Sequence, residues 1–198
     1  MADHTLRRRQ SALARTAILE ALRAHLERGD ADAVSMDDLA EEAGVSRRTL
    51  YRYFPTRGEL LAAAASWIRD EVLQLPIEIG DEGIAASFRA AAARLNEHPQ
   101  LARALLRTGT GQAIRTGYRS ERVAAIRRAL RRDVPGLSRG DLDRAAGVLG
   151  YLCSSSAWIT IQDDAALSAS AAQAAVVWAI ETLVTRLHDE HHTSSHSR

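Results

Sequence analysis

The chain of 198 residues contains no lysine; all 26 of its basic residues are arginine. Arginine usage this complete reads as the imprint of a GC-rich genome. It excludes Schiff-base catalysis, a phosphate-loop lysine and regulation by lysine acetylation. A single cysteine, Cys153, excludes an intrachain disulfide and suits a reducing compartment. It lies in an apolar helical stretch and reads as a small core residue. Apolar runs of membrane-spanning length are absent, and the basic N-terminus lacks an apolar signal core, so a cytoplasmic protein is expected. No stretch has a convincing strand pattern.

Motifs for catalysis are missing as well. There is no HExxH and no paired metal-ligand motif. Gly109-Thr110-Gly111 lacks the remainder of a phosphate-binding loop, and Ser154-Ser155-Ser156 lacks the glycines of a nucleophile elbow. His188, His191, His192 and His196 read as part of a polar tail, since no cysteine or ordered carboxylate completes a metal site. No catalytic residue, cofactor or metal is therefore assigned.

What the chain does have is zoned charge. The formal net charge is only +1. Yet residues 1–15 carry Arg7, Arg8, Arg9 and Arg15 against Asp3 alone. Residues 101–132 carry nine arginines against Glu121 alone, and residues 133–190 hold eight acids and three arginines.

Residues 35–61 carry the densest local signals. Ser35 and Asp38 have capping-box spacing at the start of a short helix, and Gly44 suits a sharp helix end. Ser46 can cap a second helix over 47–54, which Pro55 stops. Thr56 and Glu59 pair for a third. Leu39, Ala40, Ala43, Val45 and Leu50 form an apolar seam, so the first two helices read as a helix-turn-helix. Between Gly44 and Gly58 there are four arginines and no acid, with Tyr51 and Tyr53 interleaved. Arginine reads guanine edges and binds phosphate, and tyrosine hydroxyls bind phosphate. A solvated basic helix with Tyr51 in a small core is the plainer alternative.

Three runs resemble the DNA-binding half of the TetR family of bacterial repressors. They are Arg15-Thr16-Ala17-Ile18-Leu19; Ser35-Met36-x-x-Leu39-Ala40-x-x-Ala43-Gly44-Val45-Ser46; and Thr49-Leu50-Tyr51-x-Tyr53-Phe54-Pro55-Thr56-Arg57-x-x-Leu60-Leu61. The resemblance spans residues 10–62; beyond it only length and helical character agree. It implies an all-α fold: a three-helix DNA-binding domain over 1–58, a linking helix over 56–75, and an effector-binding and dimerisation domain over 76–190. It also implies a homodimer, double-stranded DNA with a palindromic operator as partner, and a small-molecule effector of unknown identity. Ser35, Ser46, Arg47, Arg48, Thr49, Tyr51, Tyr53 and Arg57 become the DNA-binding candidates, with Arg47 and Arg48 reading bases.

The rest of the chain divides by its breaks. Residues 1–9 read as a flexible arm before a helix over 11–28. A break follows at 76–83, then helices over 84–96, 99–107 and 118–132. The three-glycine stretch 108–117 is expected to be irregular and to serve as an entrance to a pocket. Two long helices, 141–161 and 165–188, are expected next, and 191–198 as a disordered tail. The last helix is apolar on more than one side. Leu149, Leu152, Val176, Ile180, Leu183 and Leu187 are the dimer-interface candidates.

Trp67, Phe88, Leu105, Arg115, Tyr118, Tyr151 and Trp158, with Leu95 and Ile114, are candidate walls for a largely apolar effector, although each also reads as ordinary core. Arg103, Arg107, Arg115 or Arg119 pointing inward would add an anionic preference. The competing function classes are an effector-free regulator or activator, and a helical carrier or enzyme that kept the fold.

Overall fold

A computed structural model describes residues 2–75 and 78–195, with side chains at 9–75 and 78–190. Among the described residues every regular element is helical. Ten α-helices follow in order: α1 Ala2–Arg28, α2 Met36–Glu42, α3 Arg47–Tyr53, α4 Arg57–Trp67, α5 Gly83–Glu97, α6 Pro99–Arg107, α7 Gly109–Asp133, α8 Arg139–Leu152, α9 Ser155–Asp164 and α10 Ala169–Ser195. None is long and apolar enough to cross a membrane.

The helices form two compact units. The N-terminal unit holds the chain up to Val72 together with Pro99–Tyr118, and the C-terminal unit holds Leu73–His98 with Arg119 onward. Helix α7 gives its first turns to one and its later turns to the other.

In the N-terminal unit, α1 packs against α2, α3, α4 and α6. Ile18, Leu22 and Leu26 recur at helical spacing on α1 and are buried with Leu39, Leu50 and Leu60. Burial of such a stripe, rather than propensity, holds helices as short as α2 and α3. Residues 1–9 were expected to be a flexible arm, but the α1 backbone is helical from Ala2. α4 ends sooner than the expected linking helix. It gives way to a π-helical turn at Ile68–Val72, and Gln74 then takes a left-handed φ of 46°.

The glycine stretch after Arg107 is helical, not irregular. Gly111 lies so close to α6 that an added Cβ would fall 2.5 Å from Leu105 Cα and closer still to the Ala104 carbonyl. A Cβ on Gly117 would sit 3.1 Å from that of Ala65. These glycines admit neighbouring helices and leave the helix unbroken. The irregular stretch expected at 108–117 is thus an ordered helix start.

In the C-terminal unit, α10 packs against α5, α8 and α9. The helix expected over 141–161 is two. Cys153 caps α8, and Ser154 begins α9, its Oγ accepting from Ala157 N at 3.3 Å and donating to Tyr151 O at 2.6 Å. The triple serine is thus a helix junction. α10 continues as backbone to Ser195, where a frayed tail was expected. The side chains of His191 and His192, and His196 altogether, lie outside the described residues.

Candidate nucleic-acid interface

The helix-turn-helix is built from local caps. Ser35 Oγ accepts from Asp38 N at 3.1 Å, and Asp38 accepts in return from Ser35 N at 3.0 Å and Ser35 Oγ at 2.7 Å. The Ser35 hydroxyl and amide hold the Asp38 carboxyl below the usual carboxylate range. Gly44 turns the chain at φ 64°, a conformation that side chains resist. Ser46 Oγ then caps α3 by accepting from Thr49 N at 3.1 Å, and the two hydroxyls share a bond of 2.9 Å.

This frame turns Leu50 inward and leaves Arg47, Arg48, Tyr51 and Arg52 exposed. Arg47 forms an ion pair with Asp37 of α2 at 2.7 Å. Ser35 and Ser46 are exposed and Thr49 is half-buried. Tyr53 is half-buried: its hydroxyl donates to Ser11 Oγ at 2.8 Å and accepts from Arg52 Nη2 at 3.2 Å. Those contacts, Ser11 first, lower the Tyr53 pKa. Arg52 lies over the Tyr53 ring, 4.9 Å from its centroid. Arg52 was absent from the DNA-binding candidates, although its i, i+4 spacing from Arg48 would have placed both on one face.

Arg57 is a correction. It was expected to hold phosphate, but its guanidinium turns into the unit, donating to Val34 O at 2.8 Å, Ala31 O at 2.7 Å and Thr110 Oγ1 at 3.3 Å. Next to it, Asp32 caps α7 from 77 residues away, accepting from Gly109 N at 2.9 Å and Thr110 N at 2.6 Å. Thr110, through side chain and amide, and then Gly109 keep the Asp32 carboxyl below its ordinary range. Arg57 therefore fastens the base of α4 to the loop before α2.

The effector-wall candidates are divided between the two units. Trp67, Leu105, Arg115 and Tyr118 belong to the N-terminal unit, and Phe88, Tyr151 and Trp158 to the C-terminal unit. Leu105 is core, and Trp158 is buried with its indole N–H donated to Ala169 O at 3.2 Å. Tyr151 is 56% exposed. Within the C-terminal unit, Phe88 lines a cavity of about 60 Å³ whose arginine is Arg122; Arg103, Arg107, Arg115 and Arg119 are not among its walls.

Three of the six dimer candidates are covered by their own unit. Leu149, Val176 and Ile180 are buried within their own unit, and Leu152 and Leu187 are half-buried. Of the six only Leu183 counts as exposed. The large apolar side chains that reach the surface of α8 and α10 are Val148, Tyr151, Trp178 and Leu183, with Trp178 69% exposed. Periodicity identified apolar helices but not which stripe the chain itself covers.

Comparison with known proteins agrees with this geometry. Residues 18–64 match the family described as bacterial regulatory proteins, tetR family. No curated protein is significantly similar in sequence. A crystal structure of a tetR-family transcriptional regulator from Streptomyces coelicolor shares the fold, at a TM-score of 0.52 and 19% identity over 87% of this chain and 90% of that one. The capped helix-turn-helix and the basic α3 lie inside the matched segment, so residues 18–64 are similar to the DNA-binding part of tetR-family regulators, and the chain as a whole shares the fold of one.

Proposed function

We propose that the chain acts in the cytoplasm as a homodimeric repressor. It holds a palindromic operator through α3 and releases it when a small effector occupies the C-terminal unit. The observation that carries this reading is the outer face of α3, where Arg47, Arg48 and Arg52 stand exposed beside Tyr51 with no acid on the helix. A helix of this kind fits the major groove, and a two-fold dimer reads two half-sites. Arg48 reads a base edge. Arg47 is oriented by Asp37, and Tyr53 positions Arg52 for phosphate. Ser35, Ser46, Thr49 and Tyr51 lie at or near the helix ends and complete the backbone contacts.

Dimerisation through α8 and α10 is supported by the exposed Val148, Tyr151, Trp178 and Leu183. Aromatic side chains exposed on a helix face are typical anchors of such interfaces.

Selection of bound genomic fragments tests the reading. Inverted repeats are expected. Arg48→Ala should relax base preference at one position per half-site and weaken binding by about 1–3 kcal/mol. An unchanged preference would remove Arg48 from base reading. Sedimentation should give a dimer at micromolar concentration, and Trp178→Glu should give a folded monomer with lost operator affinity. A wild-type monomer would sink the dimer.

A further inference from the structure

The cavity of the C-terminal unit lies among α5, α7 and the α8–α9 junction. Its walls include Ile84, Phe88 and Ile126, and its polar groups are Ser87, Arg122 and Cys153. It holds about 60 Å³ and is partly open to solvent. One water needs roughly 10–15 Å³ on this scale, so the space suits about four to six heavy atoms. Arg122 is the sole charged residue among the walls, and none of them is a carboxylate. Its Nε donates to Gly150 O at 3.3 Å, which fixes the guanidinium beside the α8–α9 junction. Burial pushes the Cys153 thiol up to about 12 against the opposing charge of Arg122, so the thiol stays protonated and adds no negative charge. The cavity is thus small, apolar on most sides and lined by an arginine at one end.

We infer that this cavity binds a short-chain monocarboxylate of about propionate to butyrate size. Arg122 and the Ser87 hydroxyl hold the carboxylate, and the alkyl chain lies against Ile84, Phe88 and Ile126. Arginine matches a carboxylate with paired donors, and mostly apolar walls strengthen that bond. Inorganic anions would leave the apolar walls unused. Longer acids would exceed the volume. Ile79 also lines the cavity. Its loop is fastened to α7 by exposed groups, Arg128 to Glu78 at 2.8 Å and Arg132 to the Ile79 and Gly80 carbonyls at 3.0 and 2.8 Å.

This inference rests on the effector reading above, so its test separates ligand binding from DNA binding. The full chain without DNA is titrated calorimetrically with acetate, propionate, butyrate, hexanoate and octanoate, and with propionamide and butyramide. Affinity should rise about fourfold per added methylene up to propionate or butyrate, then fall. The amides should bind at least tenfold more weakly than the acids. Arg122→Gln should lose at least tenfold in carboxylate affinity. Because Arg122 also bonds Gly150, a second variant, Ala91→Leu, fills the cavity from α5 and leaves the arginine in place; it should abolish binding with the helical circular dichroism intact.

Equal affinity for acids and amides, affinity that climbs through octanoate, undisturbed binding in Ala91→Leu, or no carboxylate binding at all would each overturn the site. Operator release is measured separately. Carboxylate binding without release would leave the site standing and remove its role as effector site. Failure of the wild type to bind any DNA would remove the regulator reading alone.

Discussion

In the N-terminal unit, residues far apart in sequence are joined by partly buried hydrogen bonds: Arg57 to Ala31 and Val34, Thr110 to Asp32, Tyr53 to Ser11. In the C-terminal unit, such polar links include ion pairs between exposed side chains, Arg89–Glu181, Arg127–Asp143 and Arg128–Glu78. Its helices are otherwise held by apolar packing, as of Phe88, Leu142 and Ile180. Exposed ion pairs contribute about 0–1 kcal/mol each, whereas a directional bond to a buried carbonyl defines one geometry. The first unit is built to present α3 in a single orientation. The second is built from contacts that tolerate repacking, as the proposed effector binding requires.

The sharpest way to break that contrast is in the apolar unit. Ile180→Ala should cost about 2–5 kcal/mol in chemical denaturation, because Ile180 is fully buried on α10. Trp178→Ala, two residues earlier but exposed, should change monomer stability by no more than about 0.5 kcal/mol. Similar costs for both would mean that Trp178 supports the unit's own core.

Arg57→Gln addresses the polar unit. It strands the Val34 carbonyl, leaves Ala31 O only its bond from Thr110 Oγ1, and should cost about 1–3 kcal/mol of stability, seen as a lowered melting temperature. The salt dependence of DNA binding should not change. A flatter salt slope with an unchanged melting temperature would restore Arg57 as a phosphate contact.

Gly111→Ala tests the close approach of α6 and α7. The added methyl meets backbone, which yields poorly, so a loss of about 1–3 kcal/mol is expected. A gain in stability, as from an ordinary helix-interior glycine, would show that the two helices separate freely.

Asp32→Asn is the smallest effect, about 1 kcal/mol or less, since the carboxylate is exposed at the end of α7. Its sign against pH follows from the lowered folded pKa. The stabilisation is complete above the ordinary aspartate pKa of about 3.9 and disappears as pH falls through the lower folded value. Wild type and variant should therefore differ near pH 6 and converge in acid. A difference that persists at low pH would assign the effect to shape instead of charge.

Legibility follows the same division. The caps at Ser35, Ser46 and Thr56 each bond three residues ahead, so α2, α3 and the start of α4 could be located from spacing alone. The stretch 108–117 could not. Its glycines resemble a loop until the Ala104 and Leu105 backbone beside Gly111 is known, and its helix start is capped by a carboxylate 77 residues earlier. The junction at Ser154 was hidden for the opposite reason, because an apolar pattern runs through it without a proline or glycine. Arg52 was within reach of the helical period; the inward turn of Arg57 was not.

The sequence by itself determined the all-helical class, the helix-turn-helix and the basic outer face of α3. Each depends on the helical repeat and on bonds between residues three or four apart, which any local reading contains. Only the tertiary structure decided that Arg57 is a fastener, that Arg122 is the arginine at the cavity, and that Val148, Trp178 and Leu183 reach the surface while Val176 and Ile180 are covered. A helix apolar on several sides states how much must be buried. Which side meets its own chain is set by partners that arrive from elsewhere in the fold.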